Sequence, residues 1–408
     1  MIVPLVVAVN TSAAQGVEVG PAPVNFGFAA VGAPACASSA NGTGHMICVI
    51  RDGNNNLYAV SALARPGQFA AVPLDPPTRN PLALGVQGVV GQGNCAATAD
   101  VTSDIVCAYV ATSGAAAGAL MGIRVSIKTG KIYGPQNLGF AQLGVLSDIS
   151  CTNGNQRFSV VIAPNQTIAS EGPAGATICG FQLGVAPEAL VVAFNPVTGY
   201  LQTQELGGST SPPSCANAND GTNQIICVAN DDGTLYSVAV DPRTSPQYRS
   251  VAQTPFPNVR FGINESAACD SPNDGSGELL CAIIDSDTLE GFATNPREGT
   301  GSSMTTLVTN VDNISFPVGT PSCAGFGNNT HEIICGFQLF LDVVPGFFPP
   351  FTLTDAIRFN PSTGTSSEID QGGVENASGA SCTFQNRNPA QISCGVVSGT
   401  FNGQIFNP

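Results

Sequence analysis

Apolar and polar positions alternate along this chain in short bursts, without the three-to-four spacing of helical stripes. Many of the apolar bursts contain a cysteine: MICVI, DIVCAYV, QIICVA, ELLCAII, EIICGF and QISCGV. A second kind of burst follows, such as LYAVSA at 57–62 and LYSVAV at 235–240. Asp, Asn, Gly and Pro cluster between them, as at Asn41-Gly42, Asp220-Gly221 and Asp231-Asp232-Gly233. Short apolar runs bounded by such residues predict β-strands joined by tight hairpins.

The bursts belong to a repeated unit. Cysteines 12 positions apart recur as Cys36 with Cys48, Cys95 with Cys107, Cys215 with Cys227, Cys269 with Cys281, Cys323 with Cys335 and Cys382 with Cys394. An insertion stretches a seventh pair, Cys151 with Cys179, to 28. The pairs define units 1 to 7 in chain order, with a period of roughly 54–64 residues. In each unit a hairpin lies between the cysteines, and the second cysteine sits in an apolar strand. A third strand often closes on Asn-Pro or Asp-Pro, as in FNPVTG at 194–199 and FNPSTG at 359–364. A fourth strand leads onward. Four short antiparallel strands per unit predict an all-β propeller blade, with a disulfide bridging its first and second strands. Zinc is the rival reading for paired cysteines, but its close C-x2-4-C knuckles do not occur.

The sequence stops at Ile405-Phe406-Asn407-Pro408, where the third strand ends in other units. The segment VEVGPAPVNFG at 17–27 parallels KIYGPQNLG at 131–139 and is expected to supply the missing outer strand. This pattern resembles seven-bladed β-propellers over residues 17–408. The Trp-Asp signature of WD40 repeats and the Thr-Trp ending of the sialidase Asp-box are both missing, since the chain has no Trp. The resemblance therefore implies a closed propeller with one disulfide per blade, and no particular activity.

Residues 1–16 form an apolar arm and spacer outside the repeat. The run lacks the basic start of a signal peptide and reads as a strand apolar on both faces. Ile2, Val3, Leu5, Val6, Val7 and Val9 would aggregate in water and need cover. With the polar spacer NTSAAQG behind it, this arm could be donated to a neighbouring copy, which gives a head-to-tail extracellular filament. The Phe- and Pro-rich loop VVPGFFPPF at 343–351 is a candidate receiving surface. On this reading the partner is the chain itself, and the role is structural.

Charge and composition narrow the partners. Against 28 Asp and Glu stand 13 Lys and Arg, a net charge of -15 that disfavours nucleic acid. An apolar fraction of 43% argues against disorder, and no apolar run is long enough to span a membrane as a helix. Fourteen regularly spaced cysteines point to an oxidising, extracellular or cell-surface setting. Sequons at Asn10, Asn41, Asn165, Asn264, Asn313, Asn328 and Asn376 fit such a surface.

Candidate chemistry is sparse. The two histidines, His45 and His331, read as solvated loop residues, and no nucleophile or metalloprotease motif occurs. No enzyme is expected and no cofactor is required. Asp52, Asn54 and Asn56 form an oxygen-rich D-x-N-x-N hairpin that suits Ca²⁺, and the same residues also make a turn without metal. The alternative to self-assembly is a lectin-like or adhesive role. A lectin would show aromatic and polar pockets between blades; the chain has no Trp and six Tyr, of which Tyr58 and Tyr236 recur at a strand position that is either core or surface.

Overall fold

The computed structural model describes residues 17–24, 27–38, 45–65, 68–71, 81–98, 104–126, 129–141, 144–145, 148–153, 160–163, 166–168, 176–185, 187–220, 224–241, 249–255, 265–272, 274–301, 304–308, 315–326, 331–341, 351–360, 363–369, 378–385, 391–398 and 400–406. Apart from one short 3-10 turn at Gly114–Ala116, every regular element described is a β-strand. No described helix is long and apolar enough to cross a membrane.

Five sheets have the expected form. Unit 4 is typical: Ser214–Asn217, Ile225–Asp231, Thr234–Asp241 and Arg249–Pro255 pair antiparallel in chain order. Units 3 and 6 repeat this order. In unit 5 two short segments, Thr300–Gly301 and Thr305–Val308, share the outer edge of Thr288–Asn295. Unit 7 contributes Ala380–Gln385, Gln391–Ser398 and Thr400–Phe406, and Val17–Val24 pairs with the last of these, aligning Val17 with Phe406 and Val24 with Phe401. The insertion between Cys151 and Cys179 carries its own two-strand pairing, Val160–Ala163 with Gln166–Ile168.

Units 1 and 2 depart from the expectation of separate sheets. They share one nine-stranded sheet. The cause is the strand Leu82–Val89, which pairs with Asn56–Arg65 of unit 1 at Asn56, Tyr58 and Ala59, then with Ile105–Ala111 of unit 2 at Ala111 and Val110. Asn56–Arg65 also carries Gln68–Ala71 along its far end.

In every unit the paired cysteines face each other directly across the first and second strands, with Cα atoms 4.0 to 4.1 Å apart. That is the close, non-hydrogen-bonded position of an antiparallel pair, where a disulfide spans without moving the backbone. Each cysteine is bonded to the next in sequence. Cys36 is joined to Cys48, Cys95 to Cys107, Cys151 to Cys179 and Cys215 to Cys227. Cys269 is joined to Cys281, Cys323 to Cys335 and Cys382 to Cys394. No described cysteine is free.

The core lies between sheets. Second strands are apolar on both faces because each is covered on both sides, as in Ile105–Ala111, where six of the seven residues are buried. One cluster joins Ile47 and Val49 of unit 1 to Ile105 and Ile123 of unit 2. Comparable clusters join units 2 and 3, 3 and 4, 4 and 5, 5 and 6, and 6 and 7. A further one joins Val397 and Phe401 of unit 7 to Cys36, Met46 and Cys48 of unit 1. The first strands are likewise neighbours in cyclic order, the first unit touching the last. This is a propeller arrangement.

Candidate functional site

The first strands surround a central channel of about 390 Å³. Its wall is made of short side chains, because seven strands converge there and large residues would not fit. A repeated hydrogen bond ties neighbouring strands together. The serine before the first cysteine accepts from the backbone N–H of the next unit's first cysteine. Cys215 donates to Ser150 Oγ at 2.9 Å, Cys269 to Ser214 at 2.9 Å, Cys382 to Ser322 at 2.9 Å and Cys36 to Ser381 at 3.0 Å. In unit 5 alanine replaces that serine, and Asp270 takes over by accepting from Gly325 N–H at 2.9 Å. The residue after the second cysteine is glycine in units 3, 6 and 7, following Cys179, Cys335 and Cys394. A Cβ on Gly180 would lie 2.6 Å from Cys215 Sγ, and one on Gly395 would lie 2.8 Å from Cys36 Sγ. Each of these disulfides therefore packs against bare backbone of the preceding unit.

Asp148 and Asp270 face the channel. The wall strips part of their hydration and raises both carboxyls, Asp270 to about 6 despite the bonds it accepts from Gly325 and Ser271. No group of three His, Cys, Asp or Glu side chains converges among the described residues. The channel reads as the hub that holds the units together.

A second cavity, about 640 Å³, opens between units 1 and 2 and is lined in part by the crossing strand Leu82–Val89. Its construction starts at Asp52. One carboxylate oxygen accepts the Asn54 and Asn56 backbone N–H groups at 2.8 and 2.9 Å. The other accepts from Asn56 Nδ2 at 2.8 Å and the Tyr58 hydroxyl at 3.3 Å. Slight burial opposes ionisation, but the Asn56, Asn54 and Tyr58 hydrogen bonds prevail and hold this carboxyl below its ordinary value. The loop passes through Asn55 at φ 61°, a left-handed conformation that Asn tolerates.

The turn thereby fixes Asn56 and Tyr58 at the cavity wall. Phe28 stacks on one face of Tyr58 with ring centres 4.4 Å apart. Gln87, on the crossing strand, donates from Nε2 to Asn56 Oδ1 at 3.1 Å. Tyr109 of unit 2 forms another wall, and burial pushes its hydroxyl up to about 12. Gly88 lets the backbone lie on that ring, since a Cβ there would come within 2.4 Å of Tyr109 Cδ2. Leu57, Val86, Met121 and Pro135 complete an apolar floor. None of the lining residues carries a charge. A space of this size, with the Tyr58 ring and a few amide and hydroxyl groups at its wall, fits a small neutral ligand with an apolar part.

The structure sorts the residues singled out in the sequence. Asp52, Asn54 and Asn56 come together, but Asn56 turns its amide NH₂ toward Asp52, so the carboxylate is engaged by turn and cavity wall. Tyr58 opens on the cavity. Its counterpart Tyr236 is buried and donates to Gly208 C=O at 2.7 Å. His331 corrects the expectation of a solvated loop residue. Its Nδ1 lies 2.6 Å from Asp274 Oδ2 and its Nε2 3.1 Å from Glu278 Oε2, which clamps unit 6 to unit 5. Glu278 first, then Asp274, raise it to about 9 against the effect of burial. His45 begins the strand His45–Asp52. The arm residues Ile2–Val9, the loop at 343–350 and the seven sequon asparagines lie outside the described residues. Gln87, Gly88, Tyr109 and Met121 carry no sequence signal as a group, because they come from three strands with different places in the repeat.

The fold has relatives among solved structures. It is similar to a lectin from Burkholderia pseudomallei, with a TM-score of 0.58 over 94% of this chain and 99% of that one, at 13% identity. It is similar to an arginine-to-alanine triple mutant of AofleA from Arthrobotrys oligospora, with a TM-score of 0.50 over 88% and 92% of the two chains, at 10% identity. No protein-family model matches the sequence. No curated protein matches it. At this identity the likeness is one of fold, and that fold is a β-propeller.

Proposed function

We propose that this chain is an extracellular carbohydrate-binding β-propeller of seven blades that holds an uncharged sugar between units 1 and 2. The observation that carries the reading is the uncharged cavity walled by Tyr58, Tyr109, Asn56 and Gln87. Sugars present apolar C–H faces and a rim of hydroxyls, which match aromatic rings and amide groups. The carboxylate of Asp52 stands behind Tyr58 and Asn56, and with the net charge of -15 it disfavours acidic glycans. The similar fold of the Burkholderia pseudomallei lectin supports the same direction. We assign binding: the described lining offers aromatic, amide and hydroxyl groups suited to holding a sugar.

The count of seven rests on seven disulfide units, on the cyclic contacts of their first strands and on apolar clusters between consecutive units. Units 1 and 2 are then two blades stitched together by Leu82–Val89, and Val17–Val24 closes the ring as the outer strand of the seventh. Fourteen cysteines in disulfides favour an oxidising compartment.

The test is binding to an array of neutral and acidic oligosaccharides. Gln87→Ala and Tyr58→Ala are expected to weaken neutral-glycan binding at least tenfold while the protein stays folded by circular dichroism. Failure to retain any glycan, or retention unchanged by both substitutions, overturns the reading.

A further inference from the structure

The cavity between units 1 and 2 holds a polar group that the protein itself does not satisfy. Tyr109 is only 2% exposed, yet its hydroxyl has no hydrogen-bond partner among the described residues. A buried tyrosine ordinarily finds one, because an unpaired O–H loses its water without replacement. Tyr236 shows the contrast: it is also buried, and it donates to Gly208 C=O at 2.7 Å. The backbone at Gly88 packs directly against the Cδ2 edge of the Tyr109 ring. What Tyr109 offers to the cavity it lines is therefore its hydroxyl end and not a ring face.

Gln87 supplies a complementary group. Asp52 accepts from Asn56 Nδ2 at 2.8 Å, which leaves Asn56 Oδ1 to accept from Gln87 Nε2 at 3.1 Å. An ionised carboxylate only accepts, so it fixes the orientation of both amides in turn. Gln87 Oε1 is left as an acceptor at the wall, without a partner among the described residues.

A ligand for this wall needs an acceptor for Tyr109, a donor for Gln87 and an apolar part for the floor of Leu57, Val86 and Met121. A sugar hydroxyl accepts, but it brings an O–H of its own that needs a further acceptor, and Asn56 Oδ1 is already engaged by Gln87. An acetamido group divides these tasks. Its C=O only accepts, its N–H donates and its methyl is apolar. We propose that the cavity recognises the acetamido group of an N-acetylated neutral sugar, with Tyr109 donating to its carbonyl and Gln87 accepting from its N–H. This rests on the carbohydrate reading above and names the class of sugar.

Isothermal titration of the full chain tests it. The probes are the methyl glycosides of N-acetylglucosamine and N-acetylgalactosamine, set against those of glucose, galactose and fucose. At least one acetylated probe is expected to bind tenfold or more tighter than its parent sugar and than the fucoside, since a site built for a polar group rejects analogues that lack it. Tyr109→Phe, which keeps the ring, is expected to bring that preference below threefold. A parent sugar or a fucoside that binds as tightly as the acetylated probes overturns the inference and leaves carbohydrate binding intact. An acetamido preference that survives Tyr109→Phe places its recognition elsewhere and overturns the inference as well. No saturable heat from any of the five probes overturns the carbohydrate reading and the inference together.

Discussion

Single side chains at the hub show how a repeat protein is held at fixed points. Ser150, Ser214, Ser322 and Ser381 each satisfy a cysteine N–H of the next unit. Replacing one by alanine leaves a buried donor unpaired, so Ser322→Ala is expected to cost about 1–3 kcal/mol in urea unfolding. Unchanged stability would show that water takes over the bond. His331 adds a pH-dependent contribution. Its protonated form is favoured by Glu278 and Asp274, which raise it from 6.5 to about 9. A raised basic group stabilises fully below its unfolded value and loses that contribution as pH rises through its folded one. Stability should therefore decline between about pH 6.5 and 9, by up to about 3 kcal/mol from this residue and by less where water screens the pair. His331→Gln should flatten that slope in thermal melts across the same range, and an unchanged slope would assign it to other groups.

At the scale of the strand, the hairpins and disulfides were legible in the sequence, and the cavity was not. Apolar bursts such as QIICVA with cysteines 12 apart specify two strands in fixed register, because a disulfide such as that of Cys215 with Cys227 needs its partners directly opposed. Leu82–Val89 holds the fourth-strand position of unit 1 and has no cysteine, so nothing local says that its end also pairs with unit 2. Its pairing depends on residues such as Asn56 and Ala111, far apart in sequence. The aligned tyrosines Tyr58 and Tyr236 show the same limit: one lines a cavity and the other is buried, according to what the neighbouring unit presents. The Cys-Gly pairs at 179–180, 335–336 and 394–395 were visible but acquire meaning only once the next disulfide is seen against them. Gly180→Val should thus displace Cys215 and destabilise the protein by about 1–3 kcal/mol, as overpacking does. Wild-type stability in that variant would show that the sheets can move apart without cost.

For the whole molecule, the proposed closure by Val17–Val24 is open to direct test. Deleting residues 1–24 removes the strand paired with Thr400–Phe406 and bares a sheet edge. The deletion variant is expected to melt earlier and to associate at high concentration, as seen by light scattering. Equal stability and a monodisperse solution would show that the strand is dispensable for closure.

The bond from Cys36 to Ser381 joins residues 345 apart, whereas Cys215 to Ser150 spans 65. Ser38 N–H to Thr383 Oγ1 spans 345 as well. Most links between neighbouring units can thus form while only a short stretch of chain is ordered, but the contacts between the first and last units wait until both ends of the polypeptide meet. Loop-closure entropy grows slowly with length, so the wait costs time more than final stability. Assembly should then run as a series of quick local additions followed by one late docking step. Until that step, the outer faces of units 1 and 7, with Met46, Val397 and Phe401 among them, lie bare. During biosynthesis this pair of faces is where a nascent chain is most exposed to association with the wrong neighbour.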